Sequence, residues 1–250
     1  MEFKVNSKEL EKLLIKIIPA VPTRTPMSIL ENFLFEIKDG SLTINATDLE
    51  ISMKSSINIV SEENMSLVVP AKLIHDILKS LGDTTVYFEI SKNGKINMKT
   101  DNGVYSLSYL DAQEFPEIPA FPADADDIYE VDMNGMELKN ALELSSFAMS
   151  KEEMRPAMMG TFMDFEGDGL RFVTTDWHRL VNLFKKNVKA EIDDKYIIPE
   201  KAVSVLQKIL DEKDIKIFLS KTHMSFKLND IELITRLIGH KYPDYKSVIP

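Results

Sequence analysis

No cysteine occurs in the 250 residues. That absence excludes a disulfide framework, a thiolate zinc site, an iron–sulfur cluster and a cysteine nucleophile, and it suits a reducing compartment, so the expectation is a cytoplasmic protein. Glycine and proline are scarce, at 9 and 11 residues, which leaves no room for collagen-like or low-complexity structure. No run approaches the roughly 18 apolar residues of a membrane span. The N-terminal MEFKVNSKELEKLLIKI interleaves acids and bases where a secretory leader would carry an apolar core. A surplus of positive charge is also lacking. Thirty Lys and Arg face 40 Asp and Glu, a formal net charge of −10, and taken whole this argues against nucleic acid, whose binding is mostly phosphate neutralisation. With 44% apolar and 28% charged residues the chain reads as globular, long enough for one large domain or two ordinary ones.

What the chain does contain is a repeat. Phe35–Glu50, FEIKDGSLTINATDLE, aligns without a gap to Met163–His178, MDFEGDGLRFVTTDWH, at an offset of 128 (35 to 163). Each copy leads one strand through a turn into a second that ends in Thr-Asp, at Thr47-Asp48 and Thr175-Asp176. Val68-Val69-Pro70 with AKLIHDILKSL matches Ile197-Ile198-Pro199 with EKAVSVLQKIL at an offset of 129 (68 to 197), in each case a strand stopped by Pro and then a helix. Phe115-Pro116 matches Tyr242-Pro243 at 127 (115 to 242), and Phe3–Val5 matches Tyr129–Val131 at 126 (3 to 129). Four landmarks in one order define two domains, 1–125 and 126–250, with the Pro-rich acidic segment Pro116–Asp127 as the junction.

Each copy reads as strand, helix, two or three strands, strand-Pro-helix, then three strands. Ser7 is the expected N-cap of a first helix burying Leu10, Leu13, Leu14 and Ile17; after Asn134 the counterpart buries Leu138, Ala141, Leu142 and Ser145. The second helices place Leu73, Ile74, Ile77, Leu78 and Leu81 inward in one copy, and Val203, Val205, Leu206, Ile209 and Leu210 in the other. Alternating strands follow, with hairpin turns at Lys92-Asn93-Gly94 and Asp101-Asn102-Gly103. The fold class is α+β, antiparallel sheet with two helices on one side.

The charge is not evenly spread. Lys8, Lys12 and Lys16 fall on one helical stripe; Lys72 and Lys79 are seven apart, and so are Lys201 and Lys208 in the repeat. Residues 8–17, 71–81 and 200–210 each carry a net +1, leaving −13 for the remainder. Such a stripe is either ordinary solvation or a surface held positive for phosphates on an acidic body, and its recurrence at equivalent positions favours the second.

Eight segments carry a family resemblance: SILENFLFEI (Ser28–Ile37), ATDLE (Ala46–Glu50), VVPAK (Val68–Lys72), FPEIP (Phe115–Pro119), EMRPAMMG (Glu153–Gly160), TTDWHRL (Thr174–Leu180), IIPEK (Ile197–Lys201) and YPDYKSVIP (Tyr242–Pro250). The sequence resembles the bacterial DNA polymerase III β subunit, the replicative sliding clamp family. The resemblance implies tandem DNA-clamp (processivity) domains, sheets outside and helices inside, in a homodimeric ring of three domains per subunit. The chain matches two of the three and stops where the third would begin; on that reading its edge strand with Tyr105 and Leu107 lacks its mate and the 250 residues are monomeric. The implied function is a non-catalytic processivity factor that encircles duplex DNA without sequence preference. It would bind the polymerase catalytic subunit, the clamp loader and repair proteins through linear peptides, with no cofactor, metal or membrane. The alternative is a two-domain peptide-binding scaffold that does not encircle DNA.

By the same resemblance Arg24 and Lys72 match phosphate contacts, Lys201 is the repeat mate of Lys72, and Arg155 is a DNA contact or, equally, an ion-pair partner. The peptide groove would be lined by Met158, Thr175, Trp177, His178, Arg179, Leu180, Pro243, Ser247 and Val248. Trp177 stands where the family has a small residue and Ser247 where Arg is frequent, so a narrower groove, less attractive to acidic peptides, is implied; the other reading of Trp177 is a buried anchor. Asp176 and His178 also invite a catalytic dyad, but no nucleophile motif accompanies them and Asp48 is followed by Leu49 and Glu50, so a turn cap is the better reading of Asp176. His75, His178, His223 and His240 fall in unrelated segments without metal-ligand spacing.

Overall fold

The computed structural model describes residues 1–61, 63–125, 127–167, 169–186, 188 and 192–249. The chain divides into two compact units, Met1–Pro119 and Ala120–Pro250, so the division falls inside FPEIPAFP, ahead of the 125/126 boundary read from the repeat. Asp126 and Pro250, the ends of the second domain as read from the sequence, lie outside the described residues.

In the first unit β1 (Glu2–Asn6) feeds α1 (Ser7–Ile17), followed by β2 (Asn32–Lys38), β3 (Ser41–Thr47) and β4 (Ile51–Asn58). The plan then restarts with β5 (Met65–Pro70), α2 (Ala71–Ser80), β6 (Thr85–Ser91), β7 (Lys95–Thr100), β8 (Gly103–Ser108) and the short β9 (Leu110–Asp111). One sheet runs β1-β6-β7-β8; in the other the order is β4-β3-β2-β5-β9. Each half therefore lends its leading strand to the sheet of the other half: β1 pairs antiparallel with β6, Val5 opposite Val86, and β5 with β2, Val68 opposite Leu34. The exchange brings α1 against α2.

The second unit repeats the plan with β10 (Tyr129–Asn134), α3 (Gly135–Ser146), β11 (Gly160–Glu166), β12 (Gly169–Thr175), β13 (Leu180–Lys186), β14 (Lys195–Pro199), α4 (Glu200–Ile209), β15 (Asp214–Leu219), β16 (His223–Leu228) and β17 (Ile231–Arg236). Here β10 pairs with β15, β14 with β11, and α3 packs on α4. Among the described residues no helix is long and apolar enough to cross a membrane.

Helix starts correct the sequence reading. The N-cap of α1 is Asn6, not Ser7: the Asn6 side chain accepts from the backbone N–H of Lys8 (2.9 Å) and Glu9 (3.1 Å), as Asn134 does from Met136 (3.0 Å) and Glu137 (3.3 Å). These caps fix the offset of the first strand at 128 (6 to 134) rather than 126, which puts Val5 in register with Met133. A slip of two leaves the inward and outward faces unchanged, so alternation alone cannot detect it. Along α1 Leu10, Leu13, Leu14 and Ile17 are buried as expected. On α2 Ala71, Ile74 and Leu78 are buried, but Leu73 points outward at 48% exposure, because at 100° per residue it lies outside the stripe those three define.

Ser7 has a different duty. It is fully buried; its Oγ donates to Gly82 O (2.6 Å) and accepts from Thr84 N (2.9 Å), tying the start of α1 to the turn before β6. Its mate is Gly135, where a Cβ would lie 2.6 Å from Asp211 O and 2.8 Å from Lys213 O, both backbone atoms. Gly135→Ser therefore copies the residue of the first unit into a place that cannot hold it. We expect the urea midpoint to fall by the equivalent of about 2 kcal/mol; an unchanged midpoint would show that the second unit has room there.

Candidate functional site

The Thr-Asp turns are built alike in both units. Thr47 Oγ1 donates to Ile51 O (2.7 Å) and accepts from Leu49 N (2.9 Å), while Asp48 Oδ1 accepts from Glu50 N (3.1 Å) and Ile51 N (2.8 Å). In the second unit Thr175 Oγ1 donates to Arg179 O (2.8 Å) and accepts from Trp177 N (3.2 Å), and Asp176 Oδ1 accepts from His178 N (3.0 Å) and Arg179 N (3.0 Å). This bonding imposes the left-handed conformation on the third residue, so Leu49 and Trp177 share a φ of 75°. Trp177 is thereby turned out of the fold, at 60% exposure, and is not a buried anchor.

Two arginines frame it. Arg155 stands 5.5 Å above the indole and pairs with Glu152 at 3.3 Å, with 44% of its side chain still exposed. Arg179 donates through Nε to Asp176 Oδ2 (3.0 Å) and lies 5.4 Å above the ring of Phe147, which is 58% exposed. Phe147 and the 91% exposed Met154 escaped the sequence reading; an aromatic just past the C-terminus of an amphipathic helix was the one available signal. Asp176 meets His178 through the backbone N–H and not through the imidazole, its other bonds going to Arg179, so it acts as the cap of the turn. Among the described residues no three His, Asp or Glu side chains converge as metal ligands.

The remaining groove candidates sit along the segment after β17. Tyr242 and Tyr245 insert into a core cluster with Ala157, Phe162, Val173 and Ile197, and Leu180 packs on the same cluster. Tyr242 stacks on Phe162 at 4.5 Å and Tyr245 meets that ring edge-on at 5.9 Å. Pro243 is left half-buried and Ser247 and Val248 exposed. Leu180, packed on that cluster, and Pro243 and Val248, which flank its two tyrosines in sequence, keep surface exposed, whereas Met158 and Thr175 are buried, Met158 at 1% exposure.

The basic candidates are dispersed. Arg24 is exposed in the loop after α1, and Lys72 and Lys79 are exposed on α2. Lys12 and Lys16 are exposed on α1, and Lys8 pairs with Glu11 at 2.6 Å. Lys201 differs from its mate Lys72: it is half-buried, and desolvation lowers its pKa below the usual lysine value. The stripe does not extend to α3, which carries Glu137, Lys139 and Glu143 with Leu144 exposed. Positive helical charge is thus concentrated in the first unit.

The Asp176 turn has a pH signature. Desolvation alone would raise its carboxyl pKa, but the N–H groups of His178 and Arg179 and the Arg179 guanidinium outweigh it and hold it below the ordinary aspartate value. A depressed carboxyl stabilises the turn above about pH 4, and that contribution is lost as the pH falls through the folded pKa. Trp177 is the single tryptophan, so its emission should change on acidification below about pH 4, and Asp176→Asn should abolish the step. A step that survives in Asp176→Asn assigns it to another group.

Residues 1–119 match the model of the DNA polymerase III beta subunit N-terminal domain, and residues 132–244 match that of its central domain. The beta sliding clamp of Vibrio cholerae is 28% identical over 254 residues, spanning 100% of this chain and 68% of the relative; that of Escherichia coli K12 is 26% identical with the same coverage. Among solved structures, the sliding clamp of Bacillus subtilis superposes with a TM-score of 0.92 at 27% identity, over 100% of this chain and 68% of that one. A Pseudomonas aeruginosa clamp bound to griselimycin superposes at 0.89 with 26% identity and the same coverage. With both domain models matched in order across most of its length, the chain belongs to the DNA polymerase III β subunit family.

Proposed function

We propose that the chain serves as a sliding clamp in replication: it holds duplex DNA loosely against its basic helices and gathers partner proteins through linear peptides at the Trp177 surface. The observation that carries this reading is the doubled clamp unit, which turns lysine-bearing helices to one purpose in a protein whose net charge of −10 would otherwise repel DNA. Arg24, Lys72 and the exposed lysines of α1 supply point charges to phosphates, with Arg155 and Lys201 as secondary contacts. Such contacts carry no sequence information, and held weak they permit sliding. The protein does no covalent chemistry in this reading, and any nucleotide hydrolysis belongs to a loader. Ring closure would use the outer edge of β8, where Tyr105 and Leu107 lie.

For partners, the strip of Leu180, Pro243 and Val248 offers an apolar seat, flanked by Trp177, His178 and Arg179. The clamps of Pseudomonas aeruginosa and Bartonella birtlesii have been solved with griselimycin, which makes that compound a probe for this surface. Trp177 in place of a small residue narrows the seat, and Ser247 removes a positive charge from its rim.

Duplex binding followed by anisotropy across a salt series tests the DNA half. Replacing Lys12 and Lys72 with Ala should lower the slope of log K against log salt by about 2, near 0.9 for each phosphate no longer neutralised, equally for unrelated sequences. A slope unchanged by both substitutions, or binding confined to one sequence, would contradict it.

A further inference from the structure

A buried carboxylate that the proposed function leaves unused is bonded to the segment that carries Pro243 and Val248. Asp164, on β11, is 0% exposed. Its repeat mate is Glu36 on β2, whose Oε2 accepts from Asn45 Nδ2 of the neighbouring strand at 2.7 Å. The residue that replaces Asn45 is Val173, at the same offset of 128 (45 to 173), and it can donate nothing from its side chain. The second unit has thus kept the acid and lost its lateral partner. Instead Asp164 Oδ2 accepts from the hydroxyl of Tyr245 at 2.9 Å, across 81 residues of chain. Oδ1 has no hydrogen-bond donor; the Lys195 ammonium stands 3.9 Å away. A buried carboxylate in this state strongly favours whatever conformation keeps its one donor in place. Two residues on, Glu166 of the same strand binds Lys246 and takes Arg171 Nη2 at 3.1 Å. Consecutive residues of the segment 242–248 are therefore tethered to alternate residues of β11.

We propose that Asp164 is a positioning residue of the peptide groove: by holding the Tyr245 hydroxyl it fixes the segment that presents Pro243, Ser247 and Val248 beside Leu180. The inference rests on the reading of that strip as a peptide seat. Burial and the neighbouring carboxylate also keep the Tyr245 phenol protonated, its pKa raised above the usual tyrosine value, so the donor persists at any working pH.

The test combines griselimycin affinity, measured by calorimetry on the whole chain, with hydrogen exchange of amides 242–248 and duplex affinity as a control. Tyr245→Phe and Asp164→Val should each weaken griselimycin about tenfold, accelerate exchange in the segment and leave duplex binding unchanged. Asp164→Asn, whose amide oxygen still accepts from the hydroxyl, should bind within about twofold of wild type. Should a single variant fail to fold, the Asp164→Val, Tyr245→Phe double variant leaves neither partner buried and unpaired and carries the same comparison. Wild-type affinity in Tyr245→Phe or in the double variant would overturn the positioning role, as would Asp164→Asn binding as weakly as Asp164→Val. Failure of the wild-type chain itself to bind griselimycin would overturn the peptide seat, and this inference with it, before any variant is compared.

Discussion

Everything in each unit depends on the exchange of leading strands. Were β1 to pair within its own half, the half would be a single helix on a small sheet with one apolar face uncovered. Because Glu2 instead faces Glu89 across the β1–β6 ladder, and Asn32 faces Pro70 across β2–β5, neither half can close without the other. The exchange also fixes the helices. Each emerges from a borrowed strand, so α1 and α2 are delivered side by side with their lysines on the face left over from packing. The same constraint governs α3 and α4, and it explains why the caps at Asn6 and Asn134 keep one register while the loops around them differ.

On that shared frame, single residues at equivalent positions decide what each unit can do. Leu49 and Trp177 occupy one strained turn, but only the second presents an indole under an arginine. Glu36 with Asn45 closes a polar pair within its sheet, whereas Asp164 with Val173 sends the acid to a distant tyrosine. Lys8, Lys12 and Lys16 on α1 give way to Met136, Asn140 and Leu144 on α3. The basic helices and the Trp177 surface, to which the proposed function assigns phosphates and peptides, thus fall mainly in different units, and neither requires a change of fold.

Much of this was legible in the sequence, for physical reasons that also set its limits. Apolar periodicity and the strand-Pro-helix junctions at Pro70 and Pro199 report burial and backbone geometry directly, so the repeat and the α+β plan could be read. The first-strand offset could not, because a two-residue slip preserves the alternation of faces. Ser7 reads as a cap since its real partners, Gly82 and Thr84, are supplied by the turn before β6, far along the chain. For the site, the TTDWHRL turn was readable because its hydrogen bonds are local. The burial of Met158, the shielding of Lys201 and the tether between Asp164 and Tyr245 are tertiary facts, and no spacing announces them.

The function proposed above has duplex retained by enclosure rather than by affinity, on a protein whose overall charge opposes DNA. The most direct measurement loads the clamp onto a nicked circular duplex with a clamp loader, and then follows the bound protein after a restriction enzyme linearises the circle. Enclosure predicts long residence on the circle and rapid loss through the new ends, little changed by modest increases in salt. Equal residence on circle and line, falling steeply with salt in both, would contradict it and leave a peptide-binding scaffold with an incidental basic face.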